Sequence, residues 1–155
     1  MERREFIALV GMAAAAMPQR ALAEPQFADS AAARLVGTWS FTSSVNTRKD
    51  GTTFDRWGSN PSGVFMFDRG GNFAHIIVGS ESKVFGAKVA CSFGTYSVDE
   101  PQKILLTHIK ASSTAKLTGA TQTRTILLLT ATEFKYANPL TSVGAAAEVL
   151  WTRIG

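Results

Sequence analysis

From Leu35 onward the apolar residues of this chain recur at every second position, and no other feature narrows the possible folds as far. Side chains alternate between the two faces of a strand but repeat every 3.6 residues on a helix, so a period of two points to sheet. β-Branched and aromatic residues dominate the same runs, which strengthens the reading. The first strand is expected from about Leu35 to Val45, with Trp39, Phe41 and Ser43 on one face and Thr38, Ser40 and Thr42 on the other. Asn46 to Ser62 then reads as turn-rich, because Lys49-Asp50-Gly51 and Asn60-Pro61 are strong turn signals. Strands at Gly63–Phe67 and Phe73–Val78 form a hairpin across Asp68-Arg69-Gly70-Gly71-Asn72. Four more are expected at Phe93–Val98, Lys103–Ala111, Thr121–Thr130 and Glu133–Tyr136, with an eighth at Ala147–Ile154 closing the series. Gly79 to Ser92 has no clear period and is expected to form a loop or short helix over one mouth of a barrel.

Eight consecutive strands joined mostly by short turns predict an all-β, antiparallel, up-and-down sheet, since sequence neighbours usually pair in space. Curling that sheet into an eight-stranded barrel removes its exposed edges. The interior of such a barrel is filled by side chains or holds one small ligand. Beyond the first two dozen residues no helix-period stretch is long enough to cover a parallel sheet, which argues against doubly wound folds. With 155 residues the chain has material for one domain. A hydrophobic fraction of 45% with 18% charged residues is that of a folded body. The sixteen basic residues are scattered along the chain among twelve acids, so the net charge of +4 reads as a mildly basic solvated surface and no nucleic-acid partner is expected.

The start of the chain reads as an address. Arg3-Arg4 precede Phe6-Ile7-Ala8-Leu9-Val10 and the apolar run from Gly11 to Met17, and Ala21-Leu22-Ala23 offers small residues for cleavage after Ala23. The paired arginines before an apolar run resemble the bacterial twin-arginine export signal. The run is shorter than the roughly 20 residues that span a bilayer, and Pro18 closes it, so no stable membrane anchor is expected after cleavage. The chain is thus divided into a signal peptide at 1–23, a linker at 24–34 and a barrel at 35–155, with a periplasmic or secreted destination. A single cysteine, Cys91 in an apolar stretch, allows no internal disulfide and no thiolate cluster.

Several short motifs, in order, carry a resemblance. Leu35-Val36-Gly37-Thr38-Trp39 opens the first strand, followed by Asp50-Gly51, Pro61-Ser62-Gly63, Gly70-Gly71 and Phe93-Gly94-Thr95-Tyr96. Thr107-His108-Ile109, a lone Arg124 and the closing Trp151-Thr152-Arg153 complete the set. Together they resemble the bacterial lipocalin-like domain family over nearly all of Leu35 to the end. A Gly79–Ser92 segment shorter than the partly helical insert of that family is the main departure. The resemblance implies a lipocalin-type barrel able to hold a small molecule, with Trp39, Trp151 and Arg153 in structural roles. It names no reaction and no ligand.

The residues themselves suggest where a ligand would go. His108 is expected to share a face with Ile104 and Leu106, and Arg124 with Ile126 and Leu128, so that the two could stand opposite each other inside the barrel. There they would grip the anionic or carbonyl head of a small hydrophobic or amphipathic molecule, with His75, Phe65, Phe67 and Tyr96 completing the lining. A structural network around a snorkelling arginine is the alternative. Arg153 stacked on the Trp39 indole would seal one end of the barrel. Phe73 and Phe93 read as core or lining as well. The two histidines without a nearby acid make a thin metal site, and neither metal nor other cofactor is expected. No Gly-x-Ser-x-Gly elbow or Gly-x4-Gly-Lys phosphate loop occurs, and no catalytic residue is assigned. Two further readings stay open: an enzyme on the same scaffold using His108 as acid or base, and a barrel filled by its own side chains.

Overall fold

The computed structural model describes residues 30–80 and 89–155. A short helix α1 (Ala31–Leu35) leads into nine strands: β1 (Gly37–Thr47), β2 (Thr53–Phe54), β3 (Ser62–Phe67), β4 (Asn72–Val78), β5 (Val89–Asp99), β6 (Ile104–Ser112), β7 (Thr121–Leu129), β8 (Glu133–Asn138) and β9 (Ala146–Arg153). From β3 to β9 every strand pairs antiparallel with its sequence neighbours, and β1 pairs with both β3 and β9. Eight strands therefore close a barrel. The closure runs through Trp39, which lies opposite Phe65 on β3 and Arg153 on β9. The two-residue β2 is a spur on the far end of β1, pairing Phe54 with Asn46 and Thr53 with Thr47, in a segment that the turn signals alone describe as loop.

One end of the barrel is closed by the start of the domain itself. Ser30 caps α1, its Oγ accepting from the Ala33 amide at 3.1 Å. Glu100 Oε1, from the turn between β5 and β6, accepts from the Ala31 amide at 2.7 Å. Leu35 at the end of α1 is wholly buried, and its carbonyl takes the Trp39 indole N–H at 2.8 Å. Residues 31–34, expected as the end of a linker, are thus helix packed onto the barrel; the expected signal peptide at 1–23 and residues 24–29 lie outside the described residues.

Three β-bulges break the alternation. Thr42 is the extra residue on β1, Lys110 on β6 and Leu127 on β7. A bulge adds one residue to one strand, so every position beyond it changes face. On β1, Trp39 and Phe41 point inward, but past Thr42 it is Ser44 and Asn46 that do so, and Ser43 faces solvent. This corrects the expected grouping of Ser43 with the two aromatics. On β6 the bulge lies opposite Gly94, where close approach demands glycine: a Cβ there would stand 2.0 Å from the His108 carbonyl oxygen.

β5 begins at Val89, four residues before its expected start. Val89 to Ser92 are strand, paired with β4 through Ile77 and Ala90, and residues 81–88 of the expected loop or helix lie outside the described residues. Gly94 is the buried residue of that stretch and Phe93 points outward, half exposed at 50%, contrary to its expected place in the core.

Candidate functional site

The inside of the barrel is unequal along its axis. Toward α1 it is filled by interlocked rings: Phe65 lies 4.3 Å from Phe67, 5.4 Å from Trp151 and 6.2 Å from Phe134 between ring centroids, and Trp39 lies 5.7 Å from Phe134. Toward the opposite end the rings stop and polar side chains take over. A cavity of about 80 Å³, counted as space for water centres, opens there. Its wall includes Ser44 and Asn46 from β1, His75 and Ile77 from β4, Ser92 from β5, Gln122 and Arg124 from β7, Tyr136 and Asn138 from β8, and Ala147 and Val149 from β9. The β1 bulge supplies two of these polar groups, because without it Ser44 and Asn46 would face solvent.

The long link between β1 and β3 folds back over this open end. Trp57 in it is buried, and its carbonyl accepts from the Ser80 amide at 3.1 Å beyond β4. The neighbouring Arg56 reaches across to Ser142 Oγ at 3.1 Å, in the β8–β9 link, with its guanidinium 4.5 Å from the Trp57 ring centroid. Burial lowers the pKa of Arg56. Neither residue was assigned to the site from the sequence. The available signal was a large indole in an otherwise polar, turn-rich stretch, which has to bury itself against something.

Arg124 is the most constrained group of the cavity. It is 4% exposed, and its Nη1 donates a short hydrogen bond to Thr107 Oγ1 while Nη2 donates to Gln122 Oε1 at 2.7 Å. Tyr136 and Phe65 present rings 5.3 and 5.8 Å from the guanidinium carbon. Its Nε–H has no acceptor among the described residues, and no carboxylate bridges to it. A buried charge without a counter-charge costs several kcal/mol, so this arrangement is unusual for a purely structural group.

His75 lies beside it, opposite Phe65 across β3 and β4, with its ring 4.9 Å from Phe65 and 5.6 Å from Trp151. Its Nε2 is buried and unpartnered. Burial, then the positive charges of Arg124 and Arg56, hold its pKa down to about 3, so the imidazole is neutral.

The polarity gradient, the closed eight-stranded barrel and the helix at one end set the architecture, and the match in sequence agrees with it. The model of the lipocalin-like domain family matches residues 36–154. The chain belongs to that family. No curated protein matches it.

Within this lipocalin-like barrel the expected site residues separate. Arg124 and His75 line the cavity, and Phe65 lies beneath Arg124 in the aromatic layer. Phe67 and Tyr96 are remote from it: their rings pack 4.9 Å apart near the closed end, where the Tyr96 hydroxyl donates to the Asp68 carbonyl at 3.0 Å. His108 is the clear correction. It is exposed on the outer wall, its Nδ1 3.1 Å from Thr121 Oγ1, while its neighbours Leu105, Thr107 and Ile109 face inward. The residue opposite Arg124 is Leu105. An outward His108 can neither grip a ligand inside the barrel nor act there as acid or base, nor can it share a metal ion with the inward His75. Among the described residues no cluster of three His, Cys, Asp or Glu side chains could hold a metal.

The structural trio lies at the closed end. Trp39 and Trp151 are fully buried, and the Arg153 guanidinium lies 4.1 Å from the Trp39 ring centroid. Arg153 Nε donates to the Ala131 carbonyl and Nη1 to the Val36 carbonyl, both at 2.8 Å, and Nη2 donates to the carbonyl of Arg34.

Proposed function

We propose that this lipocalin-like barrel is exported and holds one small amphipathic molecule at its open end. The observation that carries the reading is the break in the interior, where stacked rings give way to a cavity walled by both aliphatic and hydrogen-bonding side chains from β1, β4, β5, β7, β8 and β9. Binding sites combine apolar walls with a few placed polar groups in this way. At roughly 10–15 Å³ of such space per water, 80 Å³ suits a compact molecule and not a long lipid chain. Trp57 and Arg56 form part of its wall, and the aromatic layer of Phe65 and Trp151 packs against its His75. Export rests on the Arg3-Arg4 leader and the small residues at Ala21 and Ala23.

Native mass spectrometry of the mature protein tests the reading. A small bound species released on denaturation is expected, as is its loss from Ala147→Phe, whose ring would fill the cavity. A wild-type protein that carries nothing and takes up no member of a fragment library would overturn it. N-terminal sequencing of exported protein is expected to begin at Glu24.

A further inference from the structure

We infer that the molecule held at the open end is a compact organic monoanion whose carboxylate seats against Arg124. The inference rests on the binding role proposed above and adds the chemical class of the ligand.

The argument is one of charge. Among the described residues, the cavity wall contains two arginines, Arg56 and Arg124, and no aspartate or glutamate. Arg56 is partly exposed at the mouth, where water screens it. Arg124 has no such relief. The two acceptors that fix its guanidinium, Thr107 and Gln122, are neutral, and the rings of Phe65 and Tyr136 lie near the outer limit of useful cation–π distance. These contacts hold the group in place without neutralising it. One buried positive charge is thus left over, which calls for one negative charge and no more.

The shape of the donor favours a carboxylate. A guanidinium is a planar fork that matches the two oxygens of a carboxylate, and Thr107 and Gln122 already hold that plane still, so little ordering is lost on binding. The Nε–H, still without an acceptor, lies on the edge of the group that such a fork uses. His75 adds a neutral ring and no competing charge. Beside the polar groups, the same wall offers apolar surface from Val149, Ala147, Ile77 and Tyr136 for a small flat or branched body.

Benzoate and its neutral isostere benzamide provide the test, titrated calorimetrically into the mature protein and into Arg124→Met and Arg56→Gln. Benzoate is expected to bind wild type at least tenfold more tightly than benzamide. That preference should vanish in Arg124→Met and fall only a few-fold in Arg56→Gln, with the smaller loss abolished by high salt. The wild-type comparison needs no variant, so it decides even where Arg124→Met fails to fold. Equal affinity for both probes, or an undiminished preference in Arg124→Met, overturns the inference and leaves the binding role standing. Failure of either probe and of every other fragment to bind removes the binding role, and the inference with it.

Discussion

The barrel contains two arginines on inward-facing positions, one toward each end, and their surroundings differ in kind. Arg153, at the closed end, meets three backbone carbonyls and the face of Trp39. Arg124, toward the open end, meets two neutral side chains and keeps an unanswered N–H. The first is a seal: it ties the chain leaving α1 and the turn between β7 and β8 to the last strand. The second spends stability on holding a charge away from bulk solvent. Groups maintained against their own solvation are the ones a binding site uses, because a ligand that completes them gains what the empty fold lacks.

The largest difference between the two ends should appear on truncating the core. Trp39→Ala removes a fully buried indole that touches Phe134 and donates to Leu35, and is expected to cost about 3–5 kcal/mol. Val149→Ala, at the cavity wall, removes two methyl groups from a layer that is already open and should cost about 1–2 kcal/mol. Urea denaturation midpoints measure both. Equal losses would mean that the two ends are packed alike and would break the comparison.

That closed end is also the part most legible in the sequence. Period-two alternation sufficed to place eight strands in order, and Gly37-Thr38-Trp39 with Trp151-Thr152-Arg153 marked the two edges that meet. The open end was harder to read for a physical reason. A bulge leaves no mark in composition, yet it reverses the faces beyond it, so Ser44 and Asn46 entered the cavity unannounced. On β6, Ile104 and Leu106 on one face compete with Leu105 and Ile109 on the other, so hydrophobicity alone could not choose between two registers that differ by one residue. Pairing with β7, which places Leu105 opposite Arg124, decides it and turns His108 outward. Phe93 faces outward for the same kind of reason, because register with β4 puts its neighbour Gly94 inward opposite Phe73.

Next in size is the response of the two arginines to removal of their charge. Arg153→Met loses three charge-assisted hydrogen bonds and a stacked ring at a half-buried site, and should cost about 2 kcal/mol. Arg124→Met replaces a buried, unpaired cation by an apolar chain of similar length, and should be neutral or stabilising by about 1 kcal/mol. Opposite signs in thermal melts of the two variants would sharpen the contrast between seal and site. A loss at Arg124 as large as that at Arg153 would make both of them structural.

The effect most specific to the open end, spread thinly over several pH units, is that of pH on His75. In the unfolded chain its imidazole takes a proton near pH 6.5, but in the fold burial and the two arginines delay this to about pH 3. Between those values the unfolded state binds more protons, so stability must fall as the pH is lowered. It is undiminished by this group above pH 6.5, declines by up to about 1.4 kcal/mol per pH unit below it, and levels off once the folded form also protonates. His75→Phe should flatten that part of the profile, whereas His108→Phe, on the outer wall, should leave it unchanged. Because Arg124 contributes to the repulsion, Arg124→Met should shift the lower end of the slope upward in pH. Urea titrations of wild type and the three variants from pH 7 down through about pH 3 separate these outcomes, and an unaltered acid slope in His75→Phe would mean that neither burial nor the cavity's cations hold that ring neutral.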